Sequence, residues 1–305
     1  MMKAAQFSTF GPPSVLHLVD TPIPTPGPGA IRIRVRAAGV NASDFAKRRG
    51  EMDPDLPQRL GYEASGIVDA LGEDVSNTQL GDAVYGFAFE ASTQAEFAVL
   101  GFWAPIPPSL DFVRAAAIPT ALETAWRALD ALRVGAGDVL LVNGASGSVG
   151  AAAAQLALAR GARVIGTASA GAHGYLRSLG VEPVTYGDGV EERIRQTAGE
   201  EGITKALDVA GNGVLPLLVS LTGDKNKVIT VADFASAHST GVRFSRGDDG
   251  RALHSLVEVA PLVEAGRFGV HVGATFALGE VVRAHEVGES GTVKGKIVLV
   301  INGSD

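Results

Sequence analysis

The sequence predicts a two-domain α/β protein in which a doubly wound parallel sheet is inserted between two parts of a β-rich domain. Three observations predict it. The 305 residues exceed what one ordinary core holds, which favours two domains. From Asp138 onward, short apolar strands alternate with helices, the pattern of a parallel sheet covered on both faces. The first third, and the stretch after Gly266, read instead as β-rich.

Each element has its own signal. Lys3-Ala4-Ala5-Gln6-Phe7 is a short strand, and Thr21–Gly29, rich in proline and glycine, is a loop. Ile31–Ala37 alternates apolar and basic residues, as a half-buried strand with one wet face does. Ser65–Leu71 and Ala83–Phe89 are further strands, parted by turns such as Gly81-Asp82. Val113–Leu132 has helical spacing interrupted by Pro119. Val139–Val142 is a continuous apolar run, Val149–Arg160 is Ala-rich and helical, and Arg163–Thr167 is the next strand. A helix at Tyr175–Leu179 and strands at Pro183–Tyr186, Ala206–Ala210 and Lys227–Val231 continue the alternation. Ala274–Val287 starts as a strand and runs into a helix, and Gly295–Val300 is a final strand. These shifts assign residues 1–113 and 267–305 to the β-rich domain and residues 114–266 to the parallel sheet.

Composition excludes several function classes. The formal net charge is −7 and neither sign clusters, so nucleic acid and anionic lipid are not expected partners. No apolar run reaches membrane-spanning length, and Met1–Phe10 lacks the pattern of a signal peptide. A cytoplasmic protein is the expectation. Cysteine is absent, so neither a disulfide nor a thiolate metal site can form, and no metal is expected.

The sharpest motif is Gly144-Ala145-Ser146-Gly147-Ser148-Val149-Gly150, between the strand at Val139 and the following helix. The first turn of a helix leaves backbone N–H groups unpaired, and with the helix dipole these hold a pyrophosphate. Gly147 would let the backbone approach the phosphates, and Gly150 would let the helix pack against the strand. Ala145 occupies the first position of the strict G-x-G-x-x-G pattern, so this is a variant. NAD sites usually carry an acid at the end of the next strand, for the ribose 2′-hydroxyl. Here Gly166–His173 holds none. Ser169 and His173 are placed to hydrogen-bond a 2′-phosphate, which favours NADPH.

With these residues in hand, the chain resembles the zinc-free quinone and enone reductases of the medium-chain dehydrogenase/reductase superfamily. The resemblance rests on six segments in the family's order: Ala38–Asp44, Gly61–Gly66, Leu80–Val84, Pro119–Ala125, Ala145–Gly150 and Gly295–Leu299. It implies a GroES-like β-rich catalytic domain built from both chain ends, a Rossmann domain between them, a cleft for nicotinamide and substrate, and a homodimer. Zinc-dependent members ligate the metal with Cys and a His-Glu pair, whereas here Tyr62 precedes Glu63 and no Cys exists. The short-chain dehydrogenase alternative fails because none of Tyr62, Tyr85, Tyr175 or Tyr186 is followed by Lys four residues on.

Without a metal, the substrate must already accept hydride, as a quinone or α,β-unsaturated carbonyl does. The resemblance sets Asn41 near the nicotinamide and substrate, as a donor to a carbonyl oxygen; the alternative is an Asn that stabilises a turn. Tyr62 either donates a hydrogen bond or proton or walls the pocket. Thr124 lies either near the nicotinamide or in ordinary helix packing. Asp44 is expected to anchor its loop and Glu63 to be paired within its domain. Tyr186 is expected near the adenosine phosphate. Backbone around Ala210, Gly211 and Val231 is expected on the nicotinamide side, and Phe276 in a loop near the carboxamide. Many NADPH-specific relatives place Lys where Ala172 stands, so the grip on the 2′-phosphate is weaker here. Segments Gly50–Leu60 and Ser236–Asp249 are expected to be the loops that shape the pocket. Three readings follow: a general quinone or enone reductase, a dedicated enoyl reductase of a biosynthetic pathway, and a non-catalytic NADPH-binding relative.

Overall fold

The computed structural model describes residues 1–90, 92–247 and 250–301. The chain divides into two units. The first holds Met1–Thr120, Leu256–Glu264 and the chain from Gly269 on; the second holds Ala121–Ser255 and Ala265–Phe268. No helix of the described residues is long and apolar enough to cross a membrane.

The first unit begins with β1 (Met2–Phe7), β2 (His17–Thr21), β3 (Ile31–Val40), α1 (Ala42–Arg48), β4 (Gln58–Arg59), β5 (Glu63–Leu71), β6 (Ala83–Phe87), β7 (Phe97–Leu100), β8 (Phe102–Pro105) and α2 (Phe112–Ala116). Alternation along β3 sends Ile31, Ile33 and Val35 into the core, where each is fully buried. Burying a Val or Ile side chain is worth about 1.5–3 kcal/mol, so these three positions alone favour one register strongly. The opposite face is drier than its arginines suggest. Arg32 pairs with Asp69 at 3.0 Å, and Arg32 and Arg34 lie over the Phe97 ring. The cause is that β3 is a central strand, flanked by β5 and β7.

The second unit carries most of α3 (Pro119–Leu132), where proline opens the helix rather than breaking one. There follow β9 (Val139–Asn143), α4 (Ser148–Ala159), β10 (Arg163–Ala168), α5 (His173–Ser178), β11 (Glu182–Thr185), α6 (Val190–Ala198), β12 (Lys205–Asp208), α7 (Leu215–Thr222), β13 (Val228–Thr230), α8 (Phe234–Thr240) and β14 (Arg243–Phe244). The sheet runs β11-β10-β9-β12-β13-β14 and every pairing is parallel. This is the doubly wound Rossmann order, whose order reverses beside β9. All five residues of β9 are buried, as a strand covered on both faces requires. Leu141, Ile165, Ile194, Leu215 and Leu218 belong to the core around the sheet.

The chain passes through α9 (Ser255–Glu258) and α10 (Ala260–Glu264), then completes the first unit with β15 (Val272–Ala277), α11 (Val281–Ser290) and β16 (Lys296–Val300). The larger sheet of that unit runs β15-β16-β3-β5-β6-β8, with β7 also on β3; the smaller runs β2-β1-β4. This is the β-rich, GroES-like half of the predicted α/β fold.

Two expected loops are partly regular. Ser236–Asp249 contains the end of α8 and all of β14, because Asp233 caps α8 by accepting the Ser236 N–H at 2.9 Å. Its last two residues, Asp248 and Asp249, lie outside the described residues, as do 302–305 of the first domain. Gly50–Leu60 contains β4, which pairs with β1.

Candidate active site

In the first unit the site is built around Asn41, which precedes α1. Its backbone N–H donates to Asp44 Oδ2 at 2.8 Å, and Asp44 Oδ1 accepts the Gly61 N–H at 2.9 Å. Asp44 therefore fastens α1 to the segment with Gly61 and Tyr62 that leads into β5. Burial pushes its carboxyl up to about 6, against the lowering effect of the two N–H groups and Lys296. The Asn41 Nδ2 donates to Glu63 Oε1 at 2.8 Å, and Lys296 donates to Asn41 Oδ1. A carboxylate only accepts and an ammonium only donates, so the amide has one possible orientation. Its second N–H is what Asn41 has to offer a substrate oxygen.

Glu63 is fully used. Oε1 is 2.5 Å from Lys296 Nζ, and Oε2 accepts the Thr120 N–H at 2.7 Å. A Cβ at Gly39 would come within 2.2 Å of Glu63 Oε1, so the glycine makes room for the carboxylate. Gly61 has φ +92 and a Cβ there would meet Thr93 Oγ1 at 2.3 Å. These contacts account for two of the six motif segments. Tyr62, half-buried, carries the Lys47 ammonium 5.9 Å from its ring centroid.

In the second unit the candidate cofactor residues gather at the carboxyl edge of the sheet. Gly144 (φ +84) starts the turn, and a Cβ there would lie 2.7 Å from the Ala210 Cβ, so the turns after β9 and β12 are packed together. Ala145 is buried; Ser146, Ser148 and Val149 are half-buried. Gly150 is required by the protein itself, since a Cβ would meet Gly144 O at 2.3 Å. Gly147 is different. It is exposed at the cap of α4, and the nearest atom to an added Cβ is 3.5 Å away. The protein leaves that space open on the solvent side of the helix start, a cradle that suits a diphosphate. The first turn of α4 carries no acid to oppose one.

Ser169 is half-buried after β10 and makes no capping bond. His173 Nε2 lies 3.3 Å from Thr185 Oγ1, which brings the start of α5 to the end of β11, next to the exposed Tyr186. Arg193 grips that loop through the carbonyl oxygens of Thr185 and Asp188. Ala210, Gly211 and Val231 follow β12 and β13 at the same edge. Thr124 lies on α3, half-buried, in this unit. Asn41, Tyr62 and Phe276 belong to the first unit. Phe276 is not in a loop: it lies on β15 and packs on the first unit's core, because Val272, Ala274 and Phe276 form the more buried face of an alternating strand.

Sequence reasoning missed Lys296 and Arg193. The signal for Lys296 was present: a lysine opening an apolar strand, 4% exposed, needs a buried partner. Among the described residues no group of three or more His, Asp or Glu gathers as metal ligands would.

Residues 27–103 match the family described as alcohol dehydrogenase GroES-like domain, and residues 179–299 the family described as zinc-binding dehydrogenase. The quinone oxidoreductase of Lama guanicoe is 31% identical to this chain, over 99% of it and 98% of its own length. The solved quinone oxidoreductase from Coxiella burnetii is 32% identical with a TM-score of 0.86, covering 99% of each chain. A mycobacterial structure complexed with NADPH is 25% identical with a TM-score of 0.86, over 98% of this chain and 100% of its own.

Proposed function

Because the chain belongs to the quinone oxidoreductases of the medium-chain dehydrogenase/reductase superfamily, we propose that this oxidoreductase uses NADPH to reduce a quinone or α,β-unsaturated carbonyl without zinc. On this reading residues 1–113 and 267–305 form the catalytic domain and residues 114–266 the NADPH-binding domain. The observation that carries it is the open cradle at Gly147, at the carboxyl edge of a parallel sheet with no acid after β10.

NADPH supplies the hydride when bound. The start of α4, with Ser146, Ser148 and Val149, holds its diphosphate, and Ser169 and His173 hold its 2′-phosphate beside Tyr186. Ala210, Gly211, Val231 and Thr124 serve the nicotinamide end, and Phe276 is kept as a further candidate cofactor residue. The free N–H of Asn41 donates to the substrate oxygen as negative charge develops there. Tyr62 walls this site, with its hydroxyl as a second donor. The zinc-free reading is supported by the absence of Cys and by the commitment of both Glu63 oxygens to Lys296, Asn41 and Thr120. With no metal to polarise the substrate, its own conjugation supplies the activation, which favours quinones and enones. A homodimer belongs to the same reading and is tested by sedimentation.

The test is to mix the protein with NADPH and a benzoquinone, a naphthoquinone or an unsaturated ketone, following NADPH absorbance. Consumption of NADPH with formation of the reduced product is expected. Tight NADPH binding with no oxidation by any acceptor overturns the catalytic reading in favour of a binding protein.

A further inference from the structure

A chain of buried hydrogen bonds crosses four neighbouring strands of the second unit. Thr167 on β10, Asn143 on β9, Asp208 on β12 and Thr230 on β13 are 4%, 9%, 0% and 0% exposed. Its sense follows from donor chemistry. Carboxylate oxygens accept, so Asp208 Oδ1 takes the Asn143 Nδ2–H at 2.8 Å. The Asn143 oxygen then faces the other way and accepts the Thr167 hydroxyl at 2.7 Å. Having spent its proton, the Thr167 oxygen accepts the Gly144 N–H at 3.1 Å. On the other side, the Thr230 hydroxyl donates to Asp208 Oδ2 at 2.6 Å and accepts the N–H groups of Ala232 and Asp233 at 3.1 and 3.0 Å. Asp208 Oδ1 also accepts the N–H groups of Ala210 and Gly211 at 3.1 and 2.9 Å.

The chain thus holds one end of each of three turns, those after β9, β12 and β13. We propose that Asp208 is a positioning residue for the dinucleotide site: acting through Asn143, Thr167 and Thr230, it locks the three turns in one mutual register and so sets cofactor affinity from beneath. The inference rests on the reading that these turns bind NADPH. Loops that must each be ordered on binding lose affinity to that ordering, and a shared anchor removes the loss beforehand.

Asp208→Asn keeps the shape but presents an amide N–H either to Asn143 and the loop amides or to Thr230, whose oxygen already accepts two donors. Thr230→Val removes the hydroxyl at constant shape, and Thr230→Ser keeps it. Thr167→Val tests the opposite end of the chain should Asp208→Asn be too unstable to purify. The readouts are NADPH affinity by fluorescence titration, kcat at saturating NADPH, and amide hydrogen exchange. Thr230→Val and Asp208→Asn are expected to weaken NADPH by about tenfold (about 1.4 kcal/mol), with kcat at saturation nearly unchanged. Thr230→Ser is expected to bind like the parent. Exchange is expected to quicken at Gly144, Ala210 and Ala232 together while the strand amides stay protected. Unchanged affinity in the folded valine variants overturns the proposal, as does equal loss in Thr230→Ser. A parent protein that binds no NADPH sinks the underlying reading, a result distinct from both.

Discussion

Lys296 and Glu63 form an ion pair 2.5 Å long, with side chains 4% and 0% exposed. Both charges are out of water, so each depends on the other. Removing one partner leaves an uncompensated buried charge, a loss of about 3–5 kcal/mol, whereas removing both costs much less. Lys296→Met is therefore expected to be strongly destabilised, and Lys296→Met with Glu63→Gln to recover most of the loss. Denaturant melts of the three proteins check this; equal stability of the single and double variants would sink it. The recovered double variant is also expected to be a poorer catalyst, because nothing then holds the Asn41 amide in one orientation.

Two glycines of one turn are expected to fail differently. A methyl group at Gly150 would overlap Gly144 O at 2.3 Å, so Gly150→Ala should lower Tm. At Gly147 the nearest atom is 3.5 Å away, so Gly147→Ala should leave stability within about 0.5 kcal/mol of the parent. Its effect is expected in NADPH affinity. Calorimetry of the free proteins beside a cofactor titration separates the two; a Tm loss at Gly147 equal to that at Gly150 would refute the distinction.

The fold was legible because apolar period and glycine punctuation act locally. Val139–Val142 announced a buried parallel strand, and the alternation in Ile31–Ala37 announced a strand and its core face, though not the half-buried state of its arginines. The glycine turn was legible for the same reason. The partners of Asn41 were not, since Glu63 reaches it only through the pairing of β3 with β5, and Lys296 only through β16, 255 residues on. The buried polar chain did leave a local trace. Asn143, Asp208 and Thr230 each close an apolar strand, and Thr167 sits one residue before such an end. Polar residues repeated at the same end of parallel strands point to one edge, a pattern visible only after the strands are ordered. The strand starting at Ala274 was legible; the loop expected at Phe276 came from the family resemblance, and the residue lies on β15 instead.

Two buried groups are expected to act on acid stability with opposite sign. Asp44 is raised from 3.8 to about 6 by burial. Between those values the folded protein keeps a proton that the unfolded chain has released, so Asp44 stabilises as pH falls. His285 is lowered from 6.5 to about 3 by burial and then by Arg48. Between those values the unfolded chain takes up a proton that the fold refuses, so His285 destabilises as pH falls. The His285 displacement is the larger and spans the whole Asp44 window, so it prevails. His285→Gln, which still accepts from Arg48, is expected to gain on the parent steadily as pH falls from 6.5. Melting both proteins across that range checks it; a constant gap would contradict the account.

Cofactor choice is expected to turn on the residue after β10. Ser169→Asp places a carboxylate where a 2′-phosphate would be repelled and a 2′-hydroxyl accepted. NADPH affinity should fall and NADH affinity should hold or rise, measured by parallel titrations. An equal fall for both cofactors would place the 2′-phosphate elsewhere.

The central strand β3 pairs with β5, β7 and β16, and β16 arrives only after the whole second unit has been made. On the ribosome, the inserted sheet can finish folding while the segment that precedes it waits. Until Lys296 emerges, Glu63 has no counter-charge and the Ala37–Val40 end of β3 lacks its β16 partner. A translation pause just before that point would leave that strand end unpaired, the kind of exposed edge that invites pairing with another chain.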